Sequence, residues 1–227
     1  MSAHNTIWRT IIAVSAVLAL VPAFAPASIG QAVSTQSASA LGNKDIEKAE
    51  TAIGDLVADA VRAFAKADIA FIAASELKAK DQPIPAGKVS ASDLGDLVSY
   101  SDDPLAVLKL SGAQIKQALE KAVSIYPQPN LGFLQISGSK FTFLKDGGAG
   151  GRVTSITVNG SAIDESRTYT VALSNSMANG ALGYWKVWSK TNVAQQYQDA
   201  SIVKAITDYL AANPKIDYSA LDRISTK

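Results

Sequence analysis

The sequence predicts an α+β domain in which mixed sheets pack against helices. Apolar residues recur at three- and four-residue steps in some segments, as in helices, and alternate with polar residues in others, as in strands. The two kinds of segment do not alternate strictly, as they do in folds built from βαβ units. The chain has 227 residues, of which 18% are charged, and this composition is typical of a globular fold.

The first half of the chain predicts helices and short strands. From Lys44, apolar residues between Ile46 and Phe64 follow a helical period, which predicts an amphipathic helix of about six turns. The apolar run at 67–74 (ADIAFIAA) predicts a buried strand, and the prolines and glycine of 81–88 predict a loop. A short helix is expected from Ser92 to Val98.

A strand followed by a capped helix is predicted next. Residues 105–110 (LAVLKL) have the composition of a strand, and Ser111 lies three residues before Gln114, as in a capping box. Pro127 ends the helix that this box opens. The apolar stripe of that helix consists of Ile115, Ala118, Leu119, Ala122 and Tyr126.

The second half predicts mainly strands. Between 133 and 174 the period is close to two, in the segments FLQIS, KFTFL, RVTSITV and TYTVALS. Asn159-Gly160, between the last two, predicts a two-residue hairpin turn. Residues 201–212 predict a closing helix.

The N-terminus has the pattern of a secretory signal peptide. Arg9 precedes the apolar run 10–21, and Ala25-Pro26-Ala27 forms a cleavage site before Ser28. The alternative is an uncleaved anchor, but the run is shorter than the ~20 apolar residues of a spanning helix. We therefore expect a signal peptide at 1–27, a flexible linker at 28–43 and one domain at 44–227, exported to the periplasm or the outside of the cell.

Composition excludes several kinds of chemistry. The chain has no cysteine, and its one histidine, His4, lies in the segment expected to be removed. A mature chain without histidine lacks a Ser-His-Asp triad and imidazole metal ligands. Loss of Arg9 leaves 20 basic and 20 acidic residues, which disfavours nucleic-acid binding. We expect no cofactor, no metal and no catalytic residue.

Three local motifs each allow two interpretations. The glycine-rich run 146–151 resembles a phosphate-binding loop, but Arg152-Val153 begins a strand where such a loop needs Lys-Ser/Thr and a helix, so a hairpin connection is favoured. Asp102-Asp103 fits a turn better than a calcium loop. The aromatic residues of 184–188 fit a packed corner better than a stacking platform for a ring.

Five ordered segments together resemble the C-terminal domain of the 5′-nucleotidases. They are IGDLVADAVRAFAKADIAFI (53–72), LAVLKLSGAQIKQALEKAV (105–123), GFLQISGSKFTF (132–143), RVTSITVNG (152–160) and TYTVALSNSMANGALGY (168–184). In that family, the resemblance implies, a separate metallophosphoesterase domain holds two metals, and the C-terminal domain binds the nucleoside between two aromatic rings. This chain corresponds only to the second part.

The family's binding motifs carry over in part. Its Asn-Gly-Gly-Gly-x-Arg loop falls on residues 73–78, so Lys78 stands where the family has its phosphate-side arginine. Lysine keeps the positive charge but lacks the guanidinium fork that binds an anion through two donors. The first stacking ring falls on Tyr100 if one residue is inserted before Leu105, and otherwise on Ser101. The second falls on Ser176, and the ribose-binding aspartate becomes Leu182. The predicted ligand-binding residues are Tyr100, Lys78, Asn175, Asn179, Gly180 and Tyr184, with Tyr184 or Trp185 filling the side that the second ring vacates.

Three functional hypotheses follow from this pattern. The first is a stand-alone, non-catalytic module that binds a nucleotide-like small molecule and belongs to nucleotide catabolism. The second is a substrate-binding subunit that completes a nucleotidase with a separate metallophosphoesterase chain. The third is a structural surface domain without a ligand.

Overall fold

A computed structural model describes residues 32–227. The signal peptide expected at 1–27 lies outside the described residues. Five α-helices lie in the described part of the chain: α1 (Ala52–Ala65), α2 (Ala91–Gly95), α3 (Gly112–Ala122), α4 (Asn175–Ala178) and α5 (Ile202–Ala212). Its strands are β1 (Ser34–Ser37), β2 (Ile69–Ala73), β3 (Gly87–Ser90), β4 (Pro104–Ser111), β5 (Leu134–Ser137), β6 (Ser139–Phe143), β7 (Val153–Val158), β8 (Ser161–Ala162), β9 (Thr168–Ser174), β10 (Val193–Ser201), β11 (Lys215–Ile216) and β12 (Ile224–Thr226).

The central sheet has five strands in the order β10-β4-β9-β2-β5. β2 is parallel to β9 and antiparallel to β5, and β4 is antiparallel to β9. Every residue of β2 is buried, because α1 packs against β2 and β5, and α1 also packs against α5. Helices and mixed sheets therefore share one core, and the predicted α+β class is confirmed.

The first helix is shorter than its apolar pattern predicted. α1 begins at Ala52, because the Thr51 hydroxyl caps it by accepting the Gly54 N–H at 3.1 Å. The Thr51 N–H is held by the Gln135 Oε1 at 2.9 Å, which fixes the chain outside the helix. Ile46 is buried within a turn that precedes the helix. A residue can thus continue an apolar stripe without being helical.

The predicted capping box of α3 is confirmed. The Gln114 N–H donates to the Ser111 hydroxyl at 3.2 Å, and the Gln114 Oε1 accepts the Ser111 N–H at 3.0 Å. The helix ends at Ala122, and Tyr126 lies in the turns that follow it.

The expectation of a flexible linker over 28–43 is wrong for residues 32–43. β1 lies between β3, which is antiparallel to it, and β11, which is parallel, in a three-stranded sheet. Leu41 is fully buried and pairs with Ile84. The polar sequence of β1 gave no apolar signal because backbone pairing, rather than apolar burial, holds most of this strand.

A third sheet has four strands in the order β12-β6-β7-β8. The glycine-rich run 146–151 connects β6 to β7, so the hairpin interpretation is confirmed. Asn159 and Gly160 have φ values of 49° and 81°, as a two-residue turn of the predicted kind requires. This turn joins β7 to the short β8 rather than directly to β9.

Arg223 anchors the C-terminal segment to α1. Its Nη1 and Nη2 lie 2.8 and 2.9 Å from the two carboxylate oxygens of Asp59. The Glu50 carboxylate accepts the backbone N–H groups of Arg223 and Ile224, where β12 begins. Asp55 is fully buried, and burial raises its pKa to about 9, against the opposing effect of the Arg223 guanidinium.

None of the helices in residues 32–227 has the length and apolar character needed to cross a membrane.

Candidate functional site

Three loops meet at one edge of the central sheet. Because β2 and β9 are parallel, the loops that follow them leave the sheet at the same edge. β4 starts at this edge too, since Leu105 pairs with Ser174 at the end of β9. We call residues 74–78, 97–103 and 174–180 the loop cluster.

Hydrogen bonds join the three loops to one another. The Lys78 N–H donates to the Leu97 carbonyl at 2.8 Å, and the Ser99 N–H donates to the Glu76 carbonyl at 2.8 Å. The Asp103 carboxylate accepts the Ser176 N–H at 3.1 Å. The loop cluster is therefore one connected surface built from segments that lie far apart in the chain.

Glu76 is a buried acid beneath this surface, with 4% of its area exposed. Its carboxylate accepts the Ala73 N–H at 2.6 Å. Burial raises the pKa of Glu76 to about 7, although hydrogen bonds from Ser174 and Ala73 oppose the rise. Sequence reasoning missed this residue, because an acid among apolar neighbours in the sequence gives no sign of whether it is buried.

Lys78 and Tyr100 both belong to the loop cluster. The Lys78 Nζ donates to the Asp96 carbonyl at 2.8 Å, and the residue is exposed. Tyr100 is 59% exposed, so its ring faces solvent. The structure thus places these two predicted residues on the same surface, and their role in binding stays a prediction.

Asn175, Asn179 and Gly180 shape the third loop. The Asn175 Oδ1 accepts a hydrogen bond from the Gln196 Nε2 at 2.8 Å, and the Asn179 Nδ2 donates to the Asn175 carbonyl at 2.8 Å. Gly180 has a φ of 88° and turns the chain after α4. These contacts give all three residues a structural role, and a contact to a ligand stays a prediction.

Tyr184 is not available to a ligand, so its prediction as a binding residue is wrong. It is fully buried, its ring stacks on that of Trp188 at 4.8 Å between centroids, and its hydroxyl donates to the Gly132 carbonyl at 2.7 Å. Burial raises the pKa of Tyr184 well above its usual value. The packed-corner interpretation is confirmed for these two residues, whereas Trp185 is 65% exposed.

The aspartates near the loop cluster have local structural roles and do not form a cation site. The Asp93 carboxylate accepts the Ser90 N–H at 2.9 Å in the capping box of α2. Asp102 lies in a turn that precedes β4, as predicted. Within residues 32–227, no three His, Cys, Asp or Glu side chains form a group suited to holding a metal ion.

Two solved structures that share this fold are larger nucleotidases. The 5′-nucleotidase precursor of Thermus thermophilus aligns with a TM-score of 0.75 and 24% identity, over 86% of this chain and 39% of that protein. The NAD nucleotidase NadN of Haemophilus influenzae aligns with a TM-score of 0.72 and 16% identity, over 87% of this chain and 38% of that protein. The fold is therefore that of a domain which occurs as one part of longer nucleotidases.

The family model for the 5′-nucleotidase, C-terminal domain, matches residues 28–190. This chain belongs to that family. It is also 31% identical over 144 residues to the trifunctional nucleotide phosphoesterase protein YfkN of Bacillus subtilis (strain 168). The match covers 60% of this chain and only 10% of YfkN, so the chain spans a small part of its curated relative.

Proposed function

We propose that the loop cluster binds a nucleoside or nucleotide and that the domain does not hydrolyse it by itself. The observation that carries the proposal is the hydrogen-bonded connection of the three loops, which brings the exposed ring of Tyr100 and the ammonium of Lys78 onto one surface. An exposed aromatic ring stacks on a base, and a nearby cation attracts a phosphate.

Two departures from the family pattern reduce the expected affinity. The position of the second stacking ring is Ser176, and the ribose-binding aspartate is Leu182, which is 37% exposed. One lost ring and one lost charged hydrogen bond cost about 2.5–6 kcal/mol together. We therefore expect a dissociation constant in the millimolar range rather than the micromolar range.

Calorimetric titration of the domain with adenosine and with AMP tests the proposal. Tyr100→Ala should weaken the binding of both ligands by about 5- to 150-fold, as expected for the loss of one stacking partner. Lys78→Gln should weaken AMP only, and more at low salt than at high salt.

Trp185→Ala is the matched control, because Trp185 is the other largely exposed aromatic residue near this end of the sheet. Unchanged affinity in Tyr100→Ala, together with a loss in Trp185→Ala, would move the site to Trp185. Absence of binding by either ligand would favour a structural domain without a ligand.

A second candidate function is the completion of a nucleotidase by a separate metallophosphoesterase. It is favoured by the length of the relatives, since this chain covers 39% of the Thermus thermophilus protein. The domain alone, and mixed with a separately produced metallophosphoesterase domain of the family, should be assayed with AMP and manganese. Hydrolysis in the mixture alone supports this function, whereas hydrolysis by the pure domain contradicts the non-catalytic proposal.

Export is the remaining part of the proposal and rests on the signal pattern of residues 1–27. Mass spectrometry of the protein from its native cells should give an N-terminus at Ser28. A chain that retains Trp8 would contradict cleavage.

A further inference from the structure

A cleft of about 530 Å³ lies between α3 and residues 186–187, and it is lined by three lysines and two glutamates. They are Lys116, Lys121, Lys186, Glu120 and Glu165. We call it the lysine cleft. None of its residues belongs to the loop cluster.

Both glutamates of the lysine cleft are already engaged. The Glu120 carboxylate is largely buried and accepts the backbone N–H groups of Arg152 and Val153, at 3.0 and 2.8 Å. The Glu165 carboxylate pairs with the Lys116 ammonium at 2.8 Å. These contacts leave Lys121 and Lys186 without a carboxylate partner among residues 32–227.

Each of these two ammonium groups lies over an aromatic ring. The Lys121 Nζ lies 5.3 Å from the centre of the Tyr184 ring, and the Lys186 Nζ lies 5.3 Å from the centre of the Trp185 ring. Burial and the like charge of Lys186 both lower the pKa of Lys121. Two cations without a carboxylate partner among residues 32–227 thus line one cleft, where a bound anion would offset their like charge.

The backbone leaves room for one of these cations. Gly183 has a φ of 80°, and a Cβ at this position would lie 3.0 Å from the Lys121 Nζ. A larger residue there would both strain the chain and crowd the ammonium.

We propose that the lysine cleft binds a doubly charged oxyanion of the phosphate type between Lys121 and Lys186. Such an anion offers several acceptor oxygens, and each ammonium offers three donors, so both lysines contact one ligand. The cleft is large enough for a phosphate group together with the organic part of an ester. The inference does not rest on nucleoside binding at the loop cluster.

Calorimetric titration with inorganic phosphate at low salt tests the proposal. Lys121→Gln and Lys186→Gln should each weaken phosphate binding about tenfold or more, as expected for the loss of one charged hydrogen bond. Carbon NMR of the lysine side chains should also show a higher pKa for Lys121 when phosphate is bound. A parallel titration with methyl phosphate separates the two sources of the ligand, since tighter binding than phosphate indicates an ester.

Lys140→Gln is the matched control, because this lysine is exposed and pairs with Asp222 away from the cleft. Equal weakening by all three variants would mean non-specific screening and would overturn the proposal, as would absence of phosphate binding. If Lys78→Gln alone lost phosphate binding, the lysine cleft would not be the phosphate site. The proposed function of the loop cluster would then remain intact.

Discussion

Glu76 links the stability of the domain to pH. Its pKa is raised from 4.5 to about 7 by burial, so between these values the folded chain holds a proton that the unfolded chain releases. Stability should therefore fall as the pH rises from about 4.5 to 7 and show no further change from this group above 7. The full effect of such a shift is about 3 kcal/mol.

Glu76→Gln should lose this part of the pH dependence, because the amide does not titrate. Urea unfolding of both proteins at pH 5 and pH 8 measures it, and the difference between the two proteins removes the contribution of Asp55. Glu165→Gln, at an exposed glutamate, should behave like the parent chain. Equal pH dependence in Glu76→Gln and the parent would show that Glu76 ionises normally.

Single residues of the site could be predicted from the sequence only where exposure follows from a loop. Tyr100 lies in the loop between α2 and β4 and is exposed, whereas Tyr184 is buried by Trp188 and by its hydrogen bond to Gly132. That bond joins residues 52 positions apart. A contact between residues so far apart in the sequence leaves no pattern in the local sequence of either one.

At the scale of elements, the capping box of α3 is the clearest sequence signal that the fold uses. Ser111→Ala removes the acceptor of the Gln114 N–H and should destabilise the domain by about 1 kcal/mol. Ser92→Ala, at an exposed position within α2, is the control and should change stability by less than about 0.5 kcal/mol. Urea unfolding compares the two, and equal effects would mean that the cap contributes nothing specific.

Strands were predictable where they are buried and were missed where they lie at an edge or carry polar residues. The apolar residues at 69–73 predicted β2, which is buried throughout. β10 (VAQQYQDAS) lies at the edge of the central sheet and is mostly exposed, so its sequence has no apolar run. β1 (STQS) likewise depends on partners that lie far away in the chain.

At the scale of the whole molecule, Arg223 connects the C-terminal segment to the core. Arg223→Met would leave the Asp59 carboxylate without its cation and remove the charged neighbour of Asp55, and removing one partner of a buried pair costs about 3–5 kcal/mol. Lys140→Met, which breaks the exposed pair with Asp222, should cost at most about 1 kcal/mol.

Urea unfolding gives both values, and hydrogen exchange should show faster exchange in β12 for Arg223→Met alone. The double variant Asp59→Asn with Arg223→Met should lose less stability than the sum of the two single variants, because they share one interaction. Additive losses, with β12 still protected, would show that the ion pair does not anchor this segment.

The position of β1 between β3 and β11 also determines when the domain can complete its fold. Gln36 and Ser37 pair with Lys215 and Ile216, and the Thr35 hydroxyl bonds to the carbonyl of Asn213, 178 residues later. A ribosome synthesises the first of these partners long before the last, so β1 lacks one neighbour throughout most of translation. Closing this sheet requires the slow meeting of distant segments. Any chaperone or translocation pore that binds the chain during its synthesis therefore binds a polypeptide whose β3-β1-β11 sheet is still incomplete.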